Sequence, residues 1–413
     1  MELLIYLILF LLVLIVSSTT NKLLPFLPLP LVQILLGIVI GLFLPNTNFH
    51  LNTELFLALV IGPLLFRESE EADITAILKH WRIIVYLIFP VIFISTLSLG
   101  GLAHLLWFSL PLAACLAVGA ALGPTDLVAF ASLSERFSFP KRVSNILKGE
   151  GLLNDASGLV AFQVALTAWT TGAFSLGQAS SSLIFSILGG FLIGFVTAMT
   201  NRFLHSFLLS VRATDIASEL LLELSLPLVT FFLAEEVHVS GIIAVVVAGI
   251  LKASRFKKIT LLEAQVDTVT ETVWHTVNFM LNGSVFVILG MELEMIAEPI
   301  LTNSIYNPIL LLVSLIALTF VLFAIRFVMI YGYYAYRTRR LKKKLNKYMK
   351  DMLLLTFSGV KGTVSIATIL LIPSNLEQEY PLLLFLVAGV TLVSFLTGLV
   401  VLPHLSDEQE ESK

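Results

Sequence analysis

Thirteen long apolar runs dominate this chain and decide which solvent it can fold in. They lie near residues 3–16, 24–44, 51–66, 83–106, 108–133, 145–171, 181–201, 214–234, 238–251, 276–290, 305–336, 352–373 and 382–403. A helix needs about 20 mostly apolar residues to cross a bilayer, where its backbone groups must bond to one another. The expected fold is therefore an all-α polytopic membrane protein with about 13 transmembrane helices. The first run has no Lys or Arg before it and no small-residue cleavage pattern after it, and reads as a retained span. Only 13% of residues are charged, against about 25% in soluble domains. That sets aside a disordered chain, a nucleic-acid binder and an ordinary soluble enzyme. The net charge of −3 implies no acidic partner, and the single Cys115, in an apolar run, reads as a buried thiol.

The basic residues test the count of spans. With the N-terminus outside, the inside segments are 17–23, 67–82, 134–144, 202–213, 252–275, 337–351 and the tail after 403. These hold 22 of the 25 Lys and Arg residues, and the outside loops hold none. Positive residues favour the cytoplasmic side, so the N-terminus is expected outside and the C-terminus in the cytoplasm. Segments 67–82 and 252–275 read as amphipathic connectors at the inner surface. The second ends in Trp274 and His275, an interfacial pair whose histidine is a weak candidate for pH response. The run RTRRLKKKLNKYMK (337–350) reads as a solvated inner loop that fixes orientation.

Charges inside spans are costly and mark ion or proton paths. Five remain after the loops are accounted for: Asp126, Glu150, Asp155, Arg326 and Lys361. Gly123-Pro124 interrupts the fifth span, because proline removes a helical hydrogen bond and clashes with the preceding turn. Thr125 can offer oxygens to a hard cation, while Asp126 can do the same or satisfy the start of the second half-helix. The twelfth span is interrupted at Ser358–Thr363, where Lys361 can offset the carbonyl end of a half-helix. Two interrupted helices, seven spans apart and so oppositely directed, are the pattern of an inverted repeat. The repeats would be the first six and last six spans.

The sixth span carries Glu150, Asn154 and Asp155. Glu150 and Asn154 are four apart and share a face. At Asp155 a proton and a small cation would compete for one carboxylate. Glu150 needs a buried partner, and Arg326 is the intramembrane arginine available, so the two are expected to form a structural brace. Glu219 and Glu223 either line a cation-attracting funnel or sit on a solvated helix start. The sequence has no P-loop, no Cys/His metal cluster, no HExxH and no GxSxG elbow. It offers no enzyme chemistry and asks for no cofactor.

These residues resemble the monovalent cation:proton antiporter-1 family, which includes NhaP-type bacterial antiporters. The matching pieces are GPTDLVA (123–129), GEGLLNDASGLVAF (149–162), LAEEVHVSGIIAVVVAGIL (233–251), FVILGMELE (286–294) and GVKGTVSIA (359–367). The resemblance implies an NhaA-like antiporter fold with crossing helices in spans 5 and 12, in a multi-pass protein of a bacterial plasma membrane. It implies a homodimer exchanging Na⁺, with Li⁺ or K⁺ as further cargo, for H⁺. An ion-carrying core (83–171 and 305–403) would move like an elevator beside a dimerisation part (1–66 and 181–290), leaving a short cytoplasmic tail at 404–413. Carried over residue by residue, Asp155 is the cation and proton carboxylate, Asn154 orients it and Thr125 is a cation ligand. Asp126 belongs to the crossing half-helices, Glu150 pairs with Arg326, and Lys361 replaces the arginine of the family's GxRG motif. A single carboxylate beside a neutral Asn fits electroneutral one-for-one exchange. Two positions depart from the family: Gly151 stands where a serine hydroxyl is usual, and Arg67 where an acid is usual, leaving Glu68 or Glu70 to substitute. A K⁺/H⁺ antiporter of the same architecture and a cation channel are the rival readings.

Overall fold

The computed structural model describes residues 2–24, 29–43, 53–126, 129–130, 137–172, 176–211, 215–253, 261–302, 306–340, 345–369, 371–372, 380–405 and 407–408. Helices account for almost all regular structure among them. The exception is a two-residue antiparallel pairing of Phe137–Ser138 with Asp407–Glu408, which ties down the start of the acidic tail. Among the described residues, six helices are long and apolar enough to cross a membrane: Trp81–Leu106, Ile184–Ser210, Ile216–Glu236, Thr268–Met291, Pro308–Arg340 and Tyr380–Leu405. Four shorter apolar helices, Ile8–Leu23, Leu29–Phe43, Leu112–Ala121 and Gly241–Ala253, accompany them.

The chain divides into two compact units. The first comprises Met1–Asn48, Thr75–Phe174 and Val285–Lys413, and the second Phe49–Ile74 and Ser175–Ser284. In the first unit, Pro90 lies inside a helical run and cannot donate a backbone hydrogen bond. The chain takes a wider π turn over Leu87–Val91 and then resumes as Ile92–Leu106. Ile92–Leu106 lies close against Leu112–Ala121, where a Cβ on Gly119 would overlap Thr96 O. Gly37 and Gly290 bring Leu29–Phe43 against the helix Leu261–Thr302 in the same way. Small residues let backbones approach closely where apolar association alone gives no preference. Large side chains such as Phe93, Phe320 and Val328 point outward, as expected where the surroundings are hydrocarbon.

The second unit joins the helices Gly62–Glu71, Leu176–Ser210, Ile216–Glu236 and Gly241–Ala253 to the first part of Leu261–Thr302. Asp215 starts Ile216–Glu236 with a capping box: its Oδ1 accepts Ser218 N at 2.9 Å, while Ser218 Oγ accepts Asp215 N at 3.3 Å. Two sequence expectations change here. Residues 67–71 continue the helix Gly62–Glu71, leaving only Ile74–Leu78 as a short connecting helix. In place of a surface connector ending at Trp274, the 42-residue helix Leu261–Thr302 runs straight through, with Trp274 buried and His275 exposed. Cys115 is buried, as its apolar context indicated.

Candidate functional site

Both helix interruptions read from the sequence are present in the first unit, and they meet. Leu112–Ala121 stops because Pro124 cannot continue it; its last turn closes with Leu122 N on Val118 O at 3.0 Å and Gly123 N on Ala120 O at 3.1 Å. Met349–Phe357 stops at Ser358, the chain runs non-helically to Gly362, and helix resumes as Thr363–Ile369. One backbone hydrogen bond, Asp126 N to Val360 O at 3.0 Å, joins the two breaks.

Each break is neutralised by the protein's own groups. Lys361, 1% exposed, donates through Nζ to Gly123 O at 2.8 Å and Pro124 O at 2.7 Å. A cation thus sits where the first half-helix leaves its carbonyls unsatisfied. Lys361 N is held in turn by Ser394 Oγ at 3.0 Å. Asp126 caps the resumed helix: its Oδ1 accepts Ala129 N at 2.9 Å and its carbonyl accepts Phe130 N at 3.0 Å. Gly362 lies against the Asp126 carboxylate so closely that a Cβ would overlap it. These contacts place Asp126 at a helix end.

The 31-residue helix Lys141–Thr171 passes beside the point where the breaks meet. Gly158 makes the close approach possible, since a Cβ there would overlap the Pro124 ring. Glu150 and Arg326, 1% and 3% exposed, form a two-pronged pair: Nη1 to Oε1 at 2.6 Å and Nη2 to Oε2 at 2.7 Å. Fork-to-fork geometry of this kind is the strongest form of the interaction. Arg326 Nε donates to Leu355 O at 3.0 Å, so the guanidinium also holds the end of Met349–Phe357. Gly359 lies flat against it, with no room for a side chain.

The brace continues into the polar site. Thr125 Oγ1 donates to Glu150 Oε1 at 3.3 Å and accepts from Asn154 Nδ2 at 2.7 Å; the same amide reaches Thr125 O at 2.9 Å. Asn154 is fully buried, and its Oδ1 has no hydrogen-bond partner among the described residues. A buried acceptor left open in this way calls for a ligand or water. Thr125 O, Thr125 Oγ1 and Asn154 Oδ1 are neutral hard oxygens, the donor type that replaces the hydration shell of an alkali cation. Asp155 follows Asn154 on the same helix; its side chain lies outside the described residues.

Glu219 and Glu223 form neither an open funnel nor a solvated helix start. Each has a partner in the second unit that the sequence did not reveal, Glu219 in a pair and Glu223 in a charged network. Glu219 Oε2 lies 2.6 Å from His205 Nδ1. Glu223 takes Lys252 Nζ at 2.8 Å on one oxygen and Trp274 Nε1 at 2.9 Å on the other. Lys252 also lies 3.4 Å from Glu70, which Arg67 holds at 3.0 Å. Arg67 reaches Glu71 at 2.6 Å as well. Glu70 is thus a member of an ion network.

The transmembrane sodium/hydrogen exchanger family model matches residues 7–406 of this chain. The sodium, potassium, lithium and rubidium/H⁺ antiporter of Bacillus pumilus is 35% identical over 412 residues, covering 98% of this chain and 61% of the relative. Its counterpart from Bacillus subtilis is 36% identical over 400 residues, covering 95% and 60%. The chain therefore spans about 60% of the length of these curated relatives. Among solved structures, the sodium proton antiporter MjNhaP1 of Methanocaldococcus jannaschii at pH 8 superposes with a TM-score of 0.66 at 18% identity. The match covers 98% of this chain and 96% of that one, and shows the same fold.

Proposed function

The chain belongs to the transmembrane sodium/hydrogen exchanger family and is a multi-pass membrane protein, and from that premise we propose that it exchanges Na⁺ for H⁺ across the cell membrane. The exchange is electroneutral, one for one, with Li⁺ as a further cargo. One observation carries the reading. Where the two breaks meet, Lys361 binds two carbonyls, Asp126 a helix start and Glu150 binds Arg326. Beside them the buried Asn154 Oδ1 has no hydrogen-bond partner among the described residues, and Asp155, next in the chain, is assigned as the carboxylate that trades a proton for a cation. Thr125 and Asn154 supply neutral oxygens, and Asp155 the single charge that a proton or a metal ion satisfies, never both at once.

Alternating exposure of Asp155 follows if a core of 83–171 and 305–403 slides past a dimerisation part of 1–66 and 181–290 within a homodimer. The distribution of basic residues supports an N-terminus outside and a C-terminus in the cytoplasm. K⁺ exchange is the second reading, favoured by the names of the two Bacillus relatives, which include potassium and rubidium. Vesicles containing the purified protein, loaded with a pH-sensitive dye and given Na⁺, Li⁺ and K⁺ in turn, decide between them. The expected result is a cation-driven pH change with Na⁺ that is independent of membrane voltage. A voltage-dependent current, or flux without proton movement, overturns the exchange mechanism.

A further inference from the structure

The helices that carry the ion site are also joined at one end, by a single side chain. Arg142 stands at the start of Lys141–Thr171, about two turns before Glu150. Its Nη2 donates to Tyr334 Oη at 3.1 Å, and its Nη1 lies 3.5 Å from Asp351 Oδ2. The guanidinium is stacked over the rings of Tyr334 and Tyr348, 5.4 and 5.0 Å from their centroids. Tyr334 lies about two turns beyond Arg326 on Pro308–Arg340. Tyr348 and Asp351 stand at the start of Met349–Phe357, the segment that leads into Lys361. One guanidinium thus ties together the three segments bearing Glu150 and Asn154, Arg326, and Lys361.

Among the described residues, Arg337 and Tyr333 act with this pair on Tyr334, and Arg142, Arg337 and Lys79 act on His80. Burial, and then the positive charges of Arg142, Arg337 and Lys79, hold the His80 imidazole below its ordinary value, so it is neutral at neutral pH. Asp351 is therefore the carboxylate that answers Arg142. Burial raises its carboxyl above the ordinary value even though Arg142 pulls the other way. The ionised form thus lowers stability: a group raised on folding favours the fold below its unfolded value and loses that contribution as pH rises through the folded one.

We propose that Arg142 is a positioning residue for cation exchange, and that its contact with Asp351 is a proton-operated latch on the segment Met349–Phe357. Ionised Asp351 keeps that segment, and Lys361 with it, in register with the helix of Asn154. Protonation from the basic end releases it. The proposal rests on the antiport reading for its effect on rate, but not for its effect on the fold.

The test compares wild type with Asp351→Asn and Asp351→Glu in phosphatidylethanolamine/phosphatidylglycerol vesicles, with Na⁺ as cargo, from pH 5 to 8. For Asp351→Asn, KM for Na⁺ at pH 8 is expected to rise at least threefold over wild type. The ratio of the two KM values should fall towards one as pH is lowered and wild type itself takes up the proton. Asp351→Glu restores the wild-type profile. In detergent, Asp351→Asn should melt at or above the wild-type temperature at pH 8, the difference shrinking towards pH 5. A KM ratio that is constant with pH, or Asp351→Asn melting below wild type at pH 8, overturns the latch. If wild-type vesicles exchange nothing, the antiport reading falls, and the melting comparison still decides the latch.

Discussion

Arg326 meets Glu150 with both terminal nitrogens, at 2.6 and 2.7 Å, and donates through its remaining nitrogen to Leu355 O at 3.0 Å. Each of the three guanidinium nitrogens thus has a partner inside the protein. Removing one partner of such a pair leaves an uncompensated buried charge, at a cost of about 3–5 kcal/mol. Glu150→Gln and Arg326→Met should each lower the melting temperature sharply, whereas Glu150→Leu with Arg326→Met should recover much of it. A single variant with wild-type melting behaviour would contradict the brace.

Asp155→Asn is expected to abolish cation-driven pH change in vesicles while leaving the melting temperature within a degree or two of wild type, at about the precision of such measurements. Exchange that persisted in this variant would remove the proposed carboxylate.

Thr125→Val keeps the shape and deletes a hydroxyl that serves Glu150 and Asn154 together. With the Asn154 amide losing an acceptor, a loss of about 1–3 kcal/mol is expected. It should appear as a raised KM for Na⁺ as well as a lower melting temperature. A change in stability alone, with KM unmoved, would confine Thr125 to a structural part.

Lys252→Met leaves Glu223 and Glu70 without their shared cation. Destabilisation of about 3–5 kcal/mol is expected, read by hydrogen exchange as faster opening of Gly62–Glu71 and Gly241–Ala253. Trp274→Phe removes one hydrogen bond from the same network and should cost about 1 kcal/mol. Equal protection in all three proteins would show that the network contributes nothing.

What could be read from the residues alone follows from how few explanations a buried charge admits. Glu150 and Arg326 were legible as a pair because each was otherwise stranded in hydrocarbon. Glu150 and Asn154 were legible as neighbours from helical spacing, and the two breaks from Gly123-Pro124 and the glycines around Lys361. The partners of Lys252 were not legible, because a lysine at the end of an apolar run looks like any other loop cation. The same ambiguity hid Arg142 and Asp351, which both fall in segments that read as solvated loops. Trp274 was taken for an interfacial residue since nothing in its local sequence shows that Glu223 waits for its N–H. The Gly158–Pro124 contact gave no signal either, since a glycine's neighbour across a crossing lies far away along the chain.

Lys361 bears on what an unloaded carrier must do. Its ammonium rests on the carbonyls of Gly123 and Pro124, so the dipoles exposed by the gap in the backbone have a permanent counterweight. The gap borrows no ion from outside to keep its shape. In the exchange proposed above, the scaffold would then keep its shape whether it holds sodium or only a proton.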